Sequence, residues 1–263
     1  MKKFVRYEVR GAVEYGALCE SSIEVLDGNF LNPEAKPSGK RRSLSDVKLL
    51  APVEPANILA IGLNYKPHAA ETNLPLPSLP LIFIKATTSL AGPTDDIILP
   101  AIAPSEVDYE GELAIVIGRK AKNVPEDDAM DYVFGYTIAN DISARDCQMK
   151  IDGQWARGKS FDTFCPMGPV VVQGVNGDDL AIQTRLNGKV MQQSRTSRLI
   201  FDIRKLVSFC SHNMTLLPGT VILTGTPEGV GFSRIPPVYL ASGDVVEIEI
   251  EGIGTLANRV VSE

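Results

Sequence analysis

At 263 residues the chain is long enough for one large domain, or for a main domain preceded by a small one. Hydrophobic residues make up 44% and charged residues 22%, the balance of an ordinary globular protein. A net charge of −6 and the lack of any basic stripe interleaved with aromatics argue against a nucleic-acid partner, and no apolar run approaches the ~18 residues needed to cross a bilayer.

Met1-Lys2-Lys3 leads into the alternation Phe4-Val5-Arg6-Tyr7-Glu8, which has no signal-peptide core. The cysteines, Cys19, Cys147, Cys165 and Cys210, are scattered without a CxxC pair, as reduced thiols of a cytoplasmic protein are. Short strands are predicted over Phe4–Arg10, Val13–Cys19 and Ile23–Leu26. The polar, Pro- and Gly-containing stretch 32–42 reads as a linker. Beyond it, strands are expected at Ile58–Ile61, Leu81–Ile84, Leu113–Gly118, Phe134–Ala139, Val170–Gln173, Ala181–Leu186, Val221–Thr224 and Val245–Ile250. Helices are predicted only at His68–Asn73, with Pro67 in the first turn, at Pro125–Tyr132 with its acidic start, and after a candidate N-cap, Asp202, over 203–210. The pattern implies an α+β, mainly β fold: a small N-terminal β domain over 1–50 and a main domain over 52–263.

Chemistry concentrates first at Asp108-Tyr109-Glu110-Gly111-Glu112-Leu113, the entrance to a β-branched run. Residues i and i+2 of a strand share a face, so Glu110 and Glu112 lie side by side and repel unless a positive charge holds them. Asp141 follows the apolar run 132–140 and supplies a third oxygen donor. Ordinary ion pairs with Arg119, Arg145 or Lys159 would also satisfy these acids. With no Cys or His donor nearby, a metal held here would be magnesium, manganese or calcium rather than zinc, and open coordination positions would make it catalytic.

The second constellation is Gly62-Leu63-Asn64-Tyr65-Lys66-Pro67-His68-Ala69-Ala70-Glu71. His68 and Glu71, at i and i+3, meet on one helix face, where the carboxylate can orient the imidazole as a general base. By spacing alone a surface pair without a role is the commoner reading. His212 reads as a helix-end residue. Arg157-Gly158-Lys159-Ser160-Phe161-Asp162-Thr163 places one lysine among small residues. Thr224-Gly225-Thr226-Pro227-Glu228-Gly229-Val230-Gly231 lacks the G-x-x-x-x-G-K-[ST] pattern, and its glycines are expected to let backbone amides approach a small carboxylate.

Taken in order, these motifs, with Asn140-Asp141-Ile142-Ser143-Ala144-Arg145-Asp146 and the ending Gly243–Ile250, resemble the fumarylacetoacetate hydrolase family from about residue 55 to the C-terminus. Lys66-Pro67 departs from the Arg-Asp or similar pair expected before the histidine. The resemblance implies a β-roll-like catalytic domain and a homodimer. It also implies magnesium or manganese on Glu110, Glu112 and Asp141, with calcium able to substitute in crystals. His68, Glu71 and Lys159 are then expected to be catalytic, and Asn64, Tyr65, Arg145, Gln148 and Thr226 to bind a small 2-oxo-acid substrate. Members hydrolyse acylpyruvates, isomerise 2-hydroxyhepta-2,4-diene-1,7-dioate or decarboxylate oxaloacetate, as in aromatic catabolism, and the shared logic is an enolate stabilised by the metal. Hydrolysis of an acylpyruvate-like diketo acid is the leading expectation. Isomerisation and decarboxylation are the alternatives, and a non-catalytic, metal-stabilised module is the remotest. Loss of Lys159 is expected to cripple turnover and spare the fold.

Overall fold

The computed structural model describes residues 1–263. Its first fifty residues form a meander of strands Lys2–Val9, Ala12–Cys19, Ser22–Leu26 and Pro37–Ser43. Alternation sends Val5 and Tyr7 inward, both fully buried, and leaves Glu8 in solvent. The last of these strands overlaps the stretch expected to be a linker. Apart from the partly buried Arg42, its residues are solvent-exposed on an edge strand paired only to Ser22–Leu26, so no hydrophobic alternation marks it.

The meander continues into the main domain. Lys2–Phe4 pairs antiparallel with Val171–Gln173, so one twelve-stranded sheet spans both units. From Lys2–Val9 it passes through Cys165–Gln173, Val133–Asn140, Gly111–Ile117, Val221–Leu223 and Ile58–Gly62 to Leu81–Lys85. A second sheet orders Lys189–Arg195, Ala181–Leu186, Val245–Ile250, Gly254–Ser262 and Ile97–Leu99.

Gly111–Ile117 lies at the centre, every residue buried. Its alternation divides the interior in two: Leu113, Ile115 and Ile117 join the larger apolar cluster, Ala114 and Val116 the smaller. Glu112 shares the parity of the smaller residues. The strand Gly254–Ser262 escapes a sequence reading because its inward Asn258 interrupts the apolar alternation; that buried amide donates to the carbonyls of Gly92 and Asp95.

Helices are few. Lys66–Glu71 (α1) begins two residues earlier than expected, with Pro67 in its first turn, where no intrahelical donor is lost. Glu126–Tyr132 is a 3-10 rather than an α segment. Trp155–Lys159 (α2) carries no apolar periodicity. Ile203–Asn213 (α3) starts at Asp202, whose carboxylate accepts from the Lys205 amide at 2.9 Å. No helix is long and apolar enough to cross a membrane.

Candidate active site

Glu110 and Asp141 end neighbouring strands that pair in the register Gly111 to Asn140. The Asp141 amide donates to the Glu110 carbonyl at 2.9 Å, and the Glu110 amide donates to the Asn140 side chain at 3.0 Å. Glu112 projects two residues further along the same face. One oxygen from each of the three buried acids lies within 4.8 Å of the others. They form the floor of a cavity of about 130 Å³, small beside the ~300–1,000 Å³ of drug-sized ligand pockets.

Cations reach two of the three acids. Lys159 Nζ bridges Glu110 and Asp141 at 2.7 Å each, Lys85 Nζ meets the other Asp141 oxygen at 2.6 Å, and Arg145 Nη2 meets Glu110 at 2.6 Å. Burial pushes the Glu110 carboxyl up, but Lys159 and Arg145 outweigh it and hold it well below the usual carboxylate range. Glu112 has no such partner; its hydrogen bond comes from the Gly225 amide at 2.6 Å. Burial first, then the charges of Asp141 and Glu110, push it well above its ordinary value. Arg119 plays no part and pairs with Asp131 at the surface. Ordinary ion pairs thus leave one carboxylate uncompensated beside two others. An all-oxygen set with that deficit of positive charge fits a magnesium or manganese ion, which Glu110, Glu112 and Asp141 would hold.

The opposite wall is α1. His68 Nδ1 lies 2.9 Å from Glu71 Oε2, and the Gly229 amide donates to Glu71 Oε1 at 2.9 Å. Burial raises the Glu71 carboxyl, but hydrogen bonds from His68, Ser233 and Gly229 outweigh it and hold the group below its ordinary value. His68 lines the cavity together with the three acids, so the pair is not an idle surface contact.

The glycine-rich segment after Val221–Leu223 does bring backbone amides to carboxylates, but to the protein's own. Gly225 serves Glu112, Gly229 serves Glu71, and Gly231 and Phe232 serve Asp108. A Cβ on Gly229 would stand 2.1 Å from the Met191 carbonyl, and one on Gly231 1.9 Å from the Val238 carbonyl. The expectation of a substrate-carboxylate cradle is corrected accordingly. Thr226 lines the cavity, but its hydroxyl already donates to the Gly111 carbonyl and accepts from Gln192.

Arg145, Gln148 and Lys159 also line the cavity, with Arg145 Nη1 donating to Gln148 Oε1 at 2.9 Å. Asn64 and Tyr65 do not reach it. The Asn64 amide donates to the Phe201 and Thr224 carbonyls and accepts from the Phe201 amide, and Tyr65 is fully buried and bridges to Leu199. In this structure both brace the start of α1. Sequence reasoning missed Lys85, whose place at the end of Leu81–Lys85 reads as a solvent-facing strand terminus, and the aromatic side of the cavity, Phe83 and Trp155, packed edge to face with centroids 5.3 Å apart. Lys159 is buried between two acids, so its loss would not be silent for the fold.

The family described as Fumarylacetoacetate (FAA) hydrolase C-terminal matches residues 57–261, and Rv2993c-like, N-terminal matches residues 2–52. Over 224 residues the chain is 50% identical to oxaloacetate tautomerase fahd2, mitochondrial, of Xenopus laevis, covering 83% of this chain and 70% of that protein. Among solved structures it is similar to 5-carboxymethyl-2-hydroxymuconate delta-isomerase from Mycobacterium smegmatis: 44% identity, TM-score 0.90, 99% of this chain and 100% of that one. It is also similar to 2-hydroxyhepta-2,4-diene-1,7-dioate isomerase from Mycobacterium marinum, at 42% identity and TM-score 0.89, over 100% of this chain and 99% of that one. These names belong to isomerases and a tautomerase.

Proposed function

This chain belongs to the fumarylacetoacetate hydrolase family and is an enzyme acting on oxo acids; from that premise we propose that it interconverts the enol and keto forms of a small 2-oxo dicarboxylate such as oxaloacetate. The 50% identity to a tautomerase and 42–44% identity to two isomerases carry this reading over hydrolysis. The modest cavity agrees with a compact acid. When bound at Glu110, Glu112 and Asp141, magnesium or manganese supplies positive charge toward the 2-oxo carboxylate and its enolate.

The chain's own groups move the proton and fix the substrate. Glu71, bonded to Nδ1, sets the His68 tautomer and leaves Nε2 as the basic nitrogen facing the cavity. Nε2 takes a proton from C3 of the keto form while the 2-oxygen receives one from solvent, and in the reverse direction the enol hydroxyl gives its proton to solvent as protonated His68 returns one to C3. Lys159, a cation held by Asp141 and Glu110 against the opposing effect of burial, faces the 2-oxygen and stabilises charge there. Arg145 and Gln148, locked to each other, receive the distal carboxylate. Phe83 and Trp155 keep water from that side. A homodimer is the family expectation, and the solution mass tests it.

The deciding assay follows enol-oxaloacetate by its ultraviolet absorbance, with products identified, in metal-stripped protein with and without manganese. The expected result is manganese-dependent ketonisation without release of pyruvate or carbon dioxide. Pyruvate appearing as fast as substrate disappears would replace this reading with decarboxylation for oxaloacetate, or with hydrolysis if acetylpyruvate is cleaved.

A further inference from the structure

Asp108 opens the acidic motif, yet it takes no part in the metal floor. It is fully buried, and five N–H groups converge on its two oxygens. Oδ1 accepts from the amides of Tyr109 at 2.9 Å and Gly231 at 2.8 Å. Oδ2 accepts from the Phe232 amide at 3.0 Å and from Arg145 Nε and Nη2 at 3.0 and 2.8 Å. Such density of donors on one carboxylate fixes its neighbours more than itself.

Two walls of the cavity meet at this group. Arg145 is held by the side-on pair to Asp108, by Glu110 and by Gln148, and the Phe232 ring stacks over its guanidinium at 4.4 Å. The amides of Gly231 and Phe232 belong to the segment whose Gly229 amide holds Glu71, so the same carboxylate anchors the tether of the His68–Glu71 pair. The contact is built into the sequence on both sides: a Cβ at residue 231 would stand 2.6 Å from Asp108 Oδ1, so only glycine lets the amide in.

We propose that Asp108 is a positioning residue that aims Arg145 at the distal carboxylate of the substrate and binds the Gly229–Phe232 segment to it, so that one buried group registers both walls. This rests on the reading of Arg145 as the distal anchor. It predicts a defect largest for ligands with a second carboxylate: Arg145 also touches Glu110, but that acid keeps Lys159, and the rest of the metal floor has its own supports in the Asn140 side chain, Lys85 and Gly225.

The test is Asp108→Asn in the full chain, by titration calorimetry with three probes: manganese alone, then malate and lactate on the manganese-loaded protein. Malate carries the distal carboxylate and lactate lacks it. Malate affinity is expected to fall at least tenfold, with manganese and lactate affinities within twofold of wild type. In a double-mutant cycle, Asp108→Asn added to Arg145→Lys should cost no further malate affinity. Parallel losses for all three probes would reduce Asp108 to a structural residue, and unchanged malate binding or independent, multiplying losses would overturn the proposal. If Asp108→Asn does not fold, Asp108→Glu, which keeps the charge and shifts its oxygens by one methylene, carries the test: a threefold or greater loss for malate alone supports it, and no loss refutes it. Since these are binding measurements, a failure of the tautomerase reading would appear in the oxaloacetate assay and leave this result standing or falling separately.

Discussion

Glu112 stands on a strand laddered on both sides, and Glu110 and Asp141 sit at the ends of that strand and its neighbour, whereas His68 and Glu71 stand on a six-residue helix without a side-chain cap. A helix that short does not persist alone in water. It is held by the Asn64 and Tyr65 anchors at its start, the buried Ala69, and the Gly229 amide on Glu71. The floor is thus set by sheet register and the wall by a few tethers. On the proposed reading this is a division of labour: rigid groups for the ion, adjustable groups for the proton.

Substitutions can break or sharpen that division. The largest effect is expected from Glu112→Gln, which removes a metal ligand without stranding a cation. Manganese affinity should fall beyond the ~10–100-fold that loss of an outer-shell partner costs. The melting temperature of the metal-free protein should stay level or rise, because the carboxyl it replaces has no counter-charge. Undiminished manganese binding by calorimetry would remove the floor from the mechanism.

Lys159→Met comes next. Turnover should drop by roughly 100–1,000-fold. Glu110 and Asp141 lose a shared partner, so the metal-free protein should also lose on the order of 3 kcal/mol; manganese should restore much of it, visible as a metal-dependent shift in melting. A variant with wild-type turnover would exclude Lys159 from the chemistry.

His68→Gln should lower the rate about 100-fold while leaving manganese affinity unchanged; a matching loss of affinity would show that floor and wall are not separable. The smallest effect concerns pH. Glu71 is held below its ordinary 4.5, so its contribution to stability is fully present above that value and is lost as pH falls through the lower folded value. The wild type should melt about 2 °C above Glu71→Gln near neutrality, and the gap should close in acid. A gap that widens in acid would mean the tether is not ionic.

How much of this was legible depends on the range of the interaction that made it. Glu110 and Glu112 were paired by strand parity alone, and Asp141 by its place at a strand end. His68 and Glu71 could be paired by helical spacing, although spacing did not say that they face a cavity. Lys85 was not legible: a lysine closing Leu-Ile-Phe-Ile looks solvent-facing until Asp141, 56 residues on, is brought against it. The glycine-rich segment was read correctly as presenting amides and wrongly as presenting them to a ligand, because its acceptors lie 113, 123 and 158 residues away. The edge strand Pro37–Ser43 and the inward Asn258 hid two strands, since edges and buried amides both erase hydrophobic alternation.

By itself the sequence determined what local stereochemistry determines: the mainly β character, which acids share a face, the cap of α3 and the ordered motifs of a family. Only the tertiary structure decided which carboxylate lacks a counter-charge, which amides hold which acids, and that Asn64 and Tyr65 brace a helix. The reason is physical. Parity and capping act over a few bonds, whereas charge compensation and hydrogen-bond partnership are settled by groups that meet only when distant strands are laid side by side.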